Sequence, residues 1–92
     1  MSKDLRDSVV SRLEDKGWSR AQAYGIAANL SAESTFNHKA VGDGGKAYGL
    51  AQWHPDRQAN FAKEFGKDIR DSSWQEQVDF LDHELRRGTE QA

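Results

Sequence analysis

Glu33 ends a run of small, mostly apolar residues, Ala21-Gln22-Ala23-Tyr24-Gly25-Ile26-Ala27-Ala28-Asn29-Leu30-Ser31-Ala32, with the composition of a buried helix. Directly after it come Ser34-Thr35-Phe36-Asn37, the glycine-rich turn Gly42-Asp43-Gly44-Gly45 and the strip Tyr48-Gly49-Leu50-Ala51-Gln52-Trp53-His54. A carboxylic acid at the end of an apolar helix, facing a polar and aromatic strip, suits protonation of a glycosidic oxygen. Such an acid must keep its proton near neutral pH, and withdrawing a carboxyl from water moves its pKa upward. The C-terminal end of a helix disfavours a negative charge by ~0.3–1 kcal/mol. Helix electrostatics therefore give no reason for a glutamate here. Glu33 is either a solvated residue of a last helical turn or a functional acid. The functional reading requires it to be sheltered from solvent, beside a groove along residues 49–53.

Asp43 is a second carboxylate within reach of such a groove, although Asp-Gly also suits a tight hairpin turn. A carboxyl separation of ~6.5–9.5 Å would fit an inverting hydrolase, and ~5–5.5 Å a retaining one. Tyr48, Gln52, Trp53 and His54 supply the aromatic faces and amide groups that sugar-binding clefts use. Tyr48 and Trp53 fit core packing equally well, and His54 fits a cap on the helix that Pro55 opens. Gln52, inside an apolar stretch, needs hydrogen-bond partners if it is buried. His38, His54 and His83 show no ligand spacing, so no metal and no cofactor is expected. Ser8, Ser11 and Ser31 lie in no nucleophile elbow.

The elements that must position these groups fit one domain over residues 1–92. A chain of this size buries roughly 60–68% of its unfolded surface, enough for one modest core. It has no cysteine, which excludes disulfides, thiol catalysis and cysteine-based zinc sites. Thirteen basic residues stand against 15 acidic ones, for a net charge of −2, so no nucleic-acid footprint is expected. Arg86-Arg87 is the one basic doublet and suits a helix C-terminus. The N-terminal residues have no signal-peptide core, and no run approaches a membrane span. Delivery to a substrate outside the cytoplasm would then need another route.

Leu5, Val9, Val10 and Leu13 fall on one helical stripe and predict a helix over residues 3–14, ended near Gly17. Ser19 and Gln22 form a capping box that opens a second helix over 20–34, and its small residues place it centrally in the core. Asp43-Gly44 predicts a two-residue hairpin turn, with arms at 40–41 and 47–48. Pro55 suits the first turn of a third helix over 56–65, which buries Phe61 and Phe65 and ends at Gly66. Ile69 plugs a loop into the core. Ser73 to Glu76 is a second capping box, opening a helix over 74–87 with Trp74, Val78, Leu81 and Leu85 inside and Gly88 as its stop. His83 is expected at the surface. The fold class is mainly α, an α+β arrangement of about four helices with a short β-hairpin between helices 2 and 3.

Taken together, Glu33-Ser34-Thr35-Phe36-Asn37, Ala40-Val41-Gly42-Asp43-Gly44-Gly45 and Ala47-Tyr48-Gly49-Leu50-Ala51-Gln52-Trp53-His54 resemble the phage tail-type lysozyme family, related to goose-type lysozymes and soluble lytic transglycosylases. The resemblance covers about residues 18–88. It implies a lysozyme-like fold and a muramidase that cuts the β-1,4 bond between N-acetylmuramic acid and N-acetylglucosamine in peptidoglycan. It implies Glu33 as general acid, Ser34 and Gln52 as cleft residues, and Asp43 as the second catalytic carboxylate. It also implies a phage tail setting, with tail proteins as partners, and action on the cell wall. A lytic transglycosylase that uses Glu33 alone and a non-catalytic glycan-binding or tail-structural module are the alternatives. Members of that family usually continue with further helices, so the resemblance implies a domain truncated or minimal at its C-terminal end, or one completed by another copy.

Overall fold

The computed structural model describes the backbone of residues 2–91 and the side chains of residues 5–87. The fold consists of four helices, α1 (Ser2–Asp15), α2 (Arg20–Ser34), α3 (Pro55–Phe65) and α4 (Trp74–Gln91), and a two-stranded hairpin of β1 (Val41–Gly42) and β2 (Ala47–Tyr48). The hairpin lies between α2 and α3, as expected. The strands are antiparallel, with Val41 opposite Tyr48 and Gly42 opposite Ala47.

Helix α1 buries Val9, Val10 and Leu13 and half-buries Leu5, the stripe read from the sequence. It closes with a Schellman turn: Trp18 N–H donates to Leu13 O and Gly17 N–H to Glu14 O, with Gly17 at φ +104°. Both capping boxes form. Ser19 Oγ accepts from Gln22 N–H while the Gln22 side chain accepts from Ser19 N–H. Ser73 and Glu76 exchange the same pair of bonds at the start of α4.

Three expectations are corrected. Helix α2 is not buried all round: Ala23, Ala27, Leu30 and Ser34 face the core, whereas Ala21, Tyr24, Gly25, Ala28 and Ala32 are exposed. Alanine on every side blurs the amphipathic signal, so the sequence hides which face packs. The hairpin connection spans four residues, with a 3₁₀ turn at Asp43–Gly45, rather than two, and its first strand begins one residue later than expected. Helix α4 runs through Gly88 to Gln91. A helical glycine costs ~1 kcal/mol relative to alanine and does not by itself stop a helix.

The core gathers on α4. Phe80 meets Trp53 at 5.6 Å and Phe61 edge-on at 5.3 Å between ring centroids, and Phe61 stacks on Phe65 at 4.5 Å. Val78 and Leu81 are buried, with Trp74 and Leu85 half-buried beside them, and Ile69 fills the loop before α4. Polar ties fix α1 to α4: Asp79 accepts two bonds from Arg12, at 2.8 and 2.9 Å, and faces Lys16 Nζ at 2.9 Å. Burial pushes the Asp79 carboxyl up, but the Arg12 and Lys16 hydrogen bonds outweigh it and hold Asp79 below the ordinary carboxylate value.

Candidate active site

The chain between α2 and α3 is held in unfavourable backbone geometry. Thr35, Phe36, Asp43 and Gln52 are the four described non-glycine residues with positive φ, at 54°, 59°, 51° and 50°, and all lie in this segment. Positive φ is rare for any L-residue and rarest for a β-branched one such as Thr35. Each such residue costs of order 1–3 kcal/mol and persists only where its surroundings over-determine it, a pattern concentrated at functional sites.

The surroundings here are three glutamine amides. Gln52 Nε2 donates to Ala40 O at 3.0 Å and Gly49 O at 2.9 Å. Gln58 Nε2, on α3, donates to Trp53 O at 2.7 Å and Lys46 O at 2.8 Å. Gln77, fully buried on α4, accepts from Leu50 N–H at 2.9 Å and donates to His38 O and Ser72 Oγ, each at 2.9 Å. Ala40 O, Gly49 O and Trp53 O also accept backbone N–H groups, so the amides add a second bond to each, whereas the Gln77 bond supplies the partner of Leu50 N–H. Close packing goes with them. A Cβ on Gly49 (φ +87°) would sit 2.8 Å from Gln77 Oε1, and one on Gly42 would overlap Gln52 Oε1.

Glu33 stands where α2 gives way to this segment, and its side chain is exposed. The expected shelter is therefore absent in this structure. The reason is the orientation of α2: the stripe 23–27–30–34 takes the core, which leaves position 33 outward. Ser34, next to it, is buried, and its Oγ donates to Leu30 O at 3.0 Å. Ser34 thus presents no free hydroxyl to a cleft. Phe36 folds inward and anchors the turn.

Residues 49–53 form no aromatic wall. Trp53 is 0% exposed and lies among Phe61 and Phe80 with Leu50, while Tyr48 is buried under the Arg70 guanidinium, 5.1 Å from the ring centroid. Burial is the first cause of a raised Tyr48 pKa. The core alternative read for both aromatics is the one the structure adopts. Gln52 is half-buried, and its amide nitrogen is committed to the backbone. Asp43 and His54 do come together. Their side chains are 63% and 50% exposed, with His54 Nε2 3.4 Å from Asp43 Oδ2. His54 precedes α3 without a side-chain cap bond, so its ring faces the hairpin.

Sequence reasoning missed Arg57, Glu84 and Gln77. Glu84 Oε1 accepts from Trp53 Nε1 at 2.8 Å and from Arg57 Nη2 at 2.6 Å, and Glu84 Oε2 accepts from Arg57 Nε at 2.9 Å. The Glu84 hydrogen bond is the main cause holding Arg57 above its ordinary value. The charges of Glu84, Asp56 and Glu33 add to it. Arg57 is thus within electrostatic range of Glu33. No sequence signal links positions 57 and 84. Gln77 carried one: it is a polar residue on the buried stripe of Trp74, Val78, Leu81 and Leu85. A groove of about 480 Å³ lies between α3 and α4, and its walls do not include Glu33, Asp43 or Gln52. No helix among the described residues is long and apolar enough to cross a membrane.

A strained, side-chain-clamped hairpin segment set between helices, with a carboxylate at the helix end before it, defines a mainly α domain with a small β part. The family model for phage tail lysozyme matches residues 5–92, and the chain belongs to that family. Membership carries a lysozyme-like action on peptidoglycan and a phage-associated setting at the cell wall. No curated protein and no solved structure matches the chain.

Proposed function

We propose that this protein is a muramidase that cleaves the β-1,4 bond between N-acetylmuramic acid and N-acetylglucosamine in peptidoglycan. Glu33 protonates the glycosidic oxygen as positive charge develops on the sugar ring, and Asp43 orients or deprotonates the attacking water. The observation that carries the reading is the family match over residues 5–92. Glu33 stands exposed at the junction of α2 and the strained segment, open to a polymeric glycan but without the shelter that a proton-holding acid needs. The strand laid over residue 33 then supplies the desolvation that the free protein lacks. Asp43 and His54 are exposed together on the hairpin side and are assigned to the water and the sugar. Ser34, Tyr48, Gln52 and Trp53 act from beneath, by holding the segment in shape. Carried on a phage tail among tail proteins, such an activity opens the wall locally.

The open setting of Glu33 favours a second reading, a peptidoglycan-binding or tail-structural module without turnover. Turbidity of purified sacculi separates the two. Clearing by the wild type that falls about 10²–10⁴-fold in Glu33→Gln supports the enzyme. Sedimentation with sacculi and no clearing supports the binder. Mass spectrometry of the products separates hydrolysis, which leaves reducing ends, from transglycosylation, which leaves anhydro ends. Near-full activity in Asp43→Asn removes Asp43 from the mechanism.

A further inference from the structure

The groove between α3 and α4 is a charged feature separate from the hairpin. Of its two carboxylates, Glu84 is bound by Arg57 and Trp53, while Glu64 lies 3.4 Å from His83 Nε2, a contact that is an ion pair only when His83 is protonated. Its two cations are not engaged. Lys63 on α3 and Arg87 on α4 are exposed, and among the described residues neither side chain has a hydrogen bond or ion pair. Arg57 offsets Glu84, so Lys63 and Arg87 face one remaining carboxylate, Glu64, and the groove leans positive by one charge in a chain of net charge −2. Asn60 adds an amide to the same walls, and the Phe80 ring, packed on Phe61 and Trp53, closes the floor. Glu84, at the edge of the groove, holds the Arg57 guanidinium that senses the charge of Glu33.

We propose that the α3–α4 groove binds the carboxylate-bearing peptide stems of peptidoglycan, with Lys63 and Arg87 pairing with stem carboxylates and Asn60 with a stem amide. This deepens the reading of the chain as a peptidoglycan-cleaving protein and rests on it. A muramic acid residue placed at Glu33 carries its peptide on the lactyl group. That peptide is extended, retains free carboxylates and is rich in amides. A groove about 480 Å³ in volume, with two free cations and an amide, matches it in charge and hydrogen bonding. Exposed pairings of this kind are weak singly and screened by salt, so binding is modest and salt-sensitive.

The test is an NMR titration of ¹⁵N-labelled protein with a synthetic stem tetrapeptide, run beside its fully amidated analogue and inorganic phosphate. The expected result is saturable shifts at residues 60, 63 and 87 with the free-acid peptide, reduced about tenfold in affinity in Lys63→Glu and in Arg87→Glu, with little response to the amidated peptide. No shifts, shifts centred elsewhere, or equal shifts from phosphate or the amidated peptide overturn the proposal. In a second arm, cleavage of intact sacculi is compared with cleavage of glycan stripped of its peptides by an amidase. Lys63→Glu is expected to lower kcat/KM on the peptide-bearing substrate about tenfold relative to the stripped one, and an unchanged ratio counts against the site. Specific peptide binding without cleavage of either substrate leaves the groove standing and removes the enzyme reading. Cleavage without peptide binding does the reverse.

Discussion

The helical frame and the segment between α2 and α3 are held by different physics. The frame of α1, α2 and α4 is built on apolar stripes, complete capping boxes and helix-internal hydrogen bonds, so neighbouring residues already favour the final shape. The segment has little of this. Its two strands are two residues each, it carries every described positive φ outside glycine, and its short turn bonds are reinforced by the side chains of glutamines 52, 58 and 77. The frame could tolerate many sequences of the same pattern. The segment depends on a few long-range polar contacts, and of the residues best placed for chemistry Glu33 and His54 stand at its two ends and Asp43 in its hairpin turn.

The sharpest way to break that contrast is Gln77→Leu. It removes three hydrogen bonds and strands Leu50 N–H and His38 O, so we expect a loss of about 3 kcal/mol in urea unfolding, with hydrogen exchange rising first in residues 38–53. A loss confined to the frame would show that the clamp is not local. Next in size is Gly49→Ala. Positive φ and the approach of its Cβ to Gln77 Oε1 together predict about 2 kcal/mol of destabilisation.

Asp79→Asn probes the frame and should cost about 1–2 kcal/mol near pH 7 by weakening the Arg12 and Lys16 pairings. Because the fold lowers the Asp79 pKa, its contribution is fully present above the unfolded value of about 3.9 and fades as pH falls below that through the folded value. The stability gap between wild type and Asp79→Asn should therefore narrow in acid; a gap constant down to pH 2 would refute the ion-pair assignment. The smallest effect is a gain. Gly25→Ala on the exposed face of α2 meets nothing within 4 Å of its Cβ and should raise stability by about 0.5–1 kcal/mol in thermal unfolding.

Much of the frame was legible because its signals are local. Ser19 with Gln22 and Ser73 with Glu76 cap helices through residues three apart, and Leu5, Val9, Val10 and Leu13 mark a face by spacing alone. Glu33, Asp43 and His54 were legible as chemical groups, and the last two do meet. Less of the site could be read. Tyr48 and Trp53 suit a sugar face or a core equally well, and only packing against Phe61, Phe80 and Arg70 chose the core. Arg57 and Glu84 are 27 positions apart, so nothing local announces their pairing.

The sequence alone determined where helices start, which stripes three of them bury, and that a hairpin lies between α2 and α3, because capping, periodicity and turn chemistry act over a few residues. Tertiary structure alone decided which way α2 faces, and with it that Glu33 stands in solvent, since alanine offers no preferred side until neighbouring elements take one. It also decided that Gln77, 27 positions away on α4, holds Leu50 N–H in the strained segment, because a buried backbone group can take its partner from anywhere in the chain that the fold brings within 3 Å.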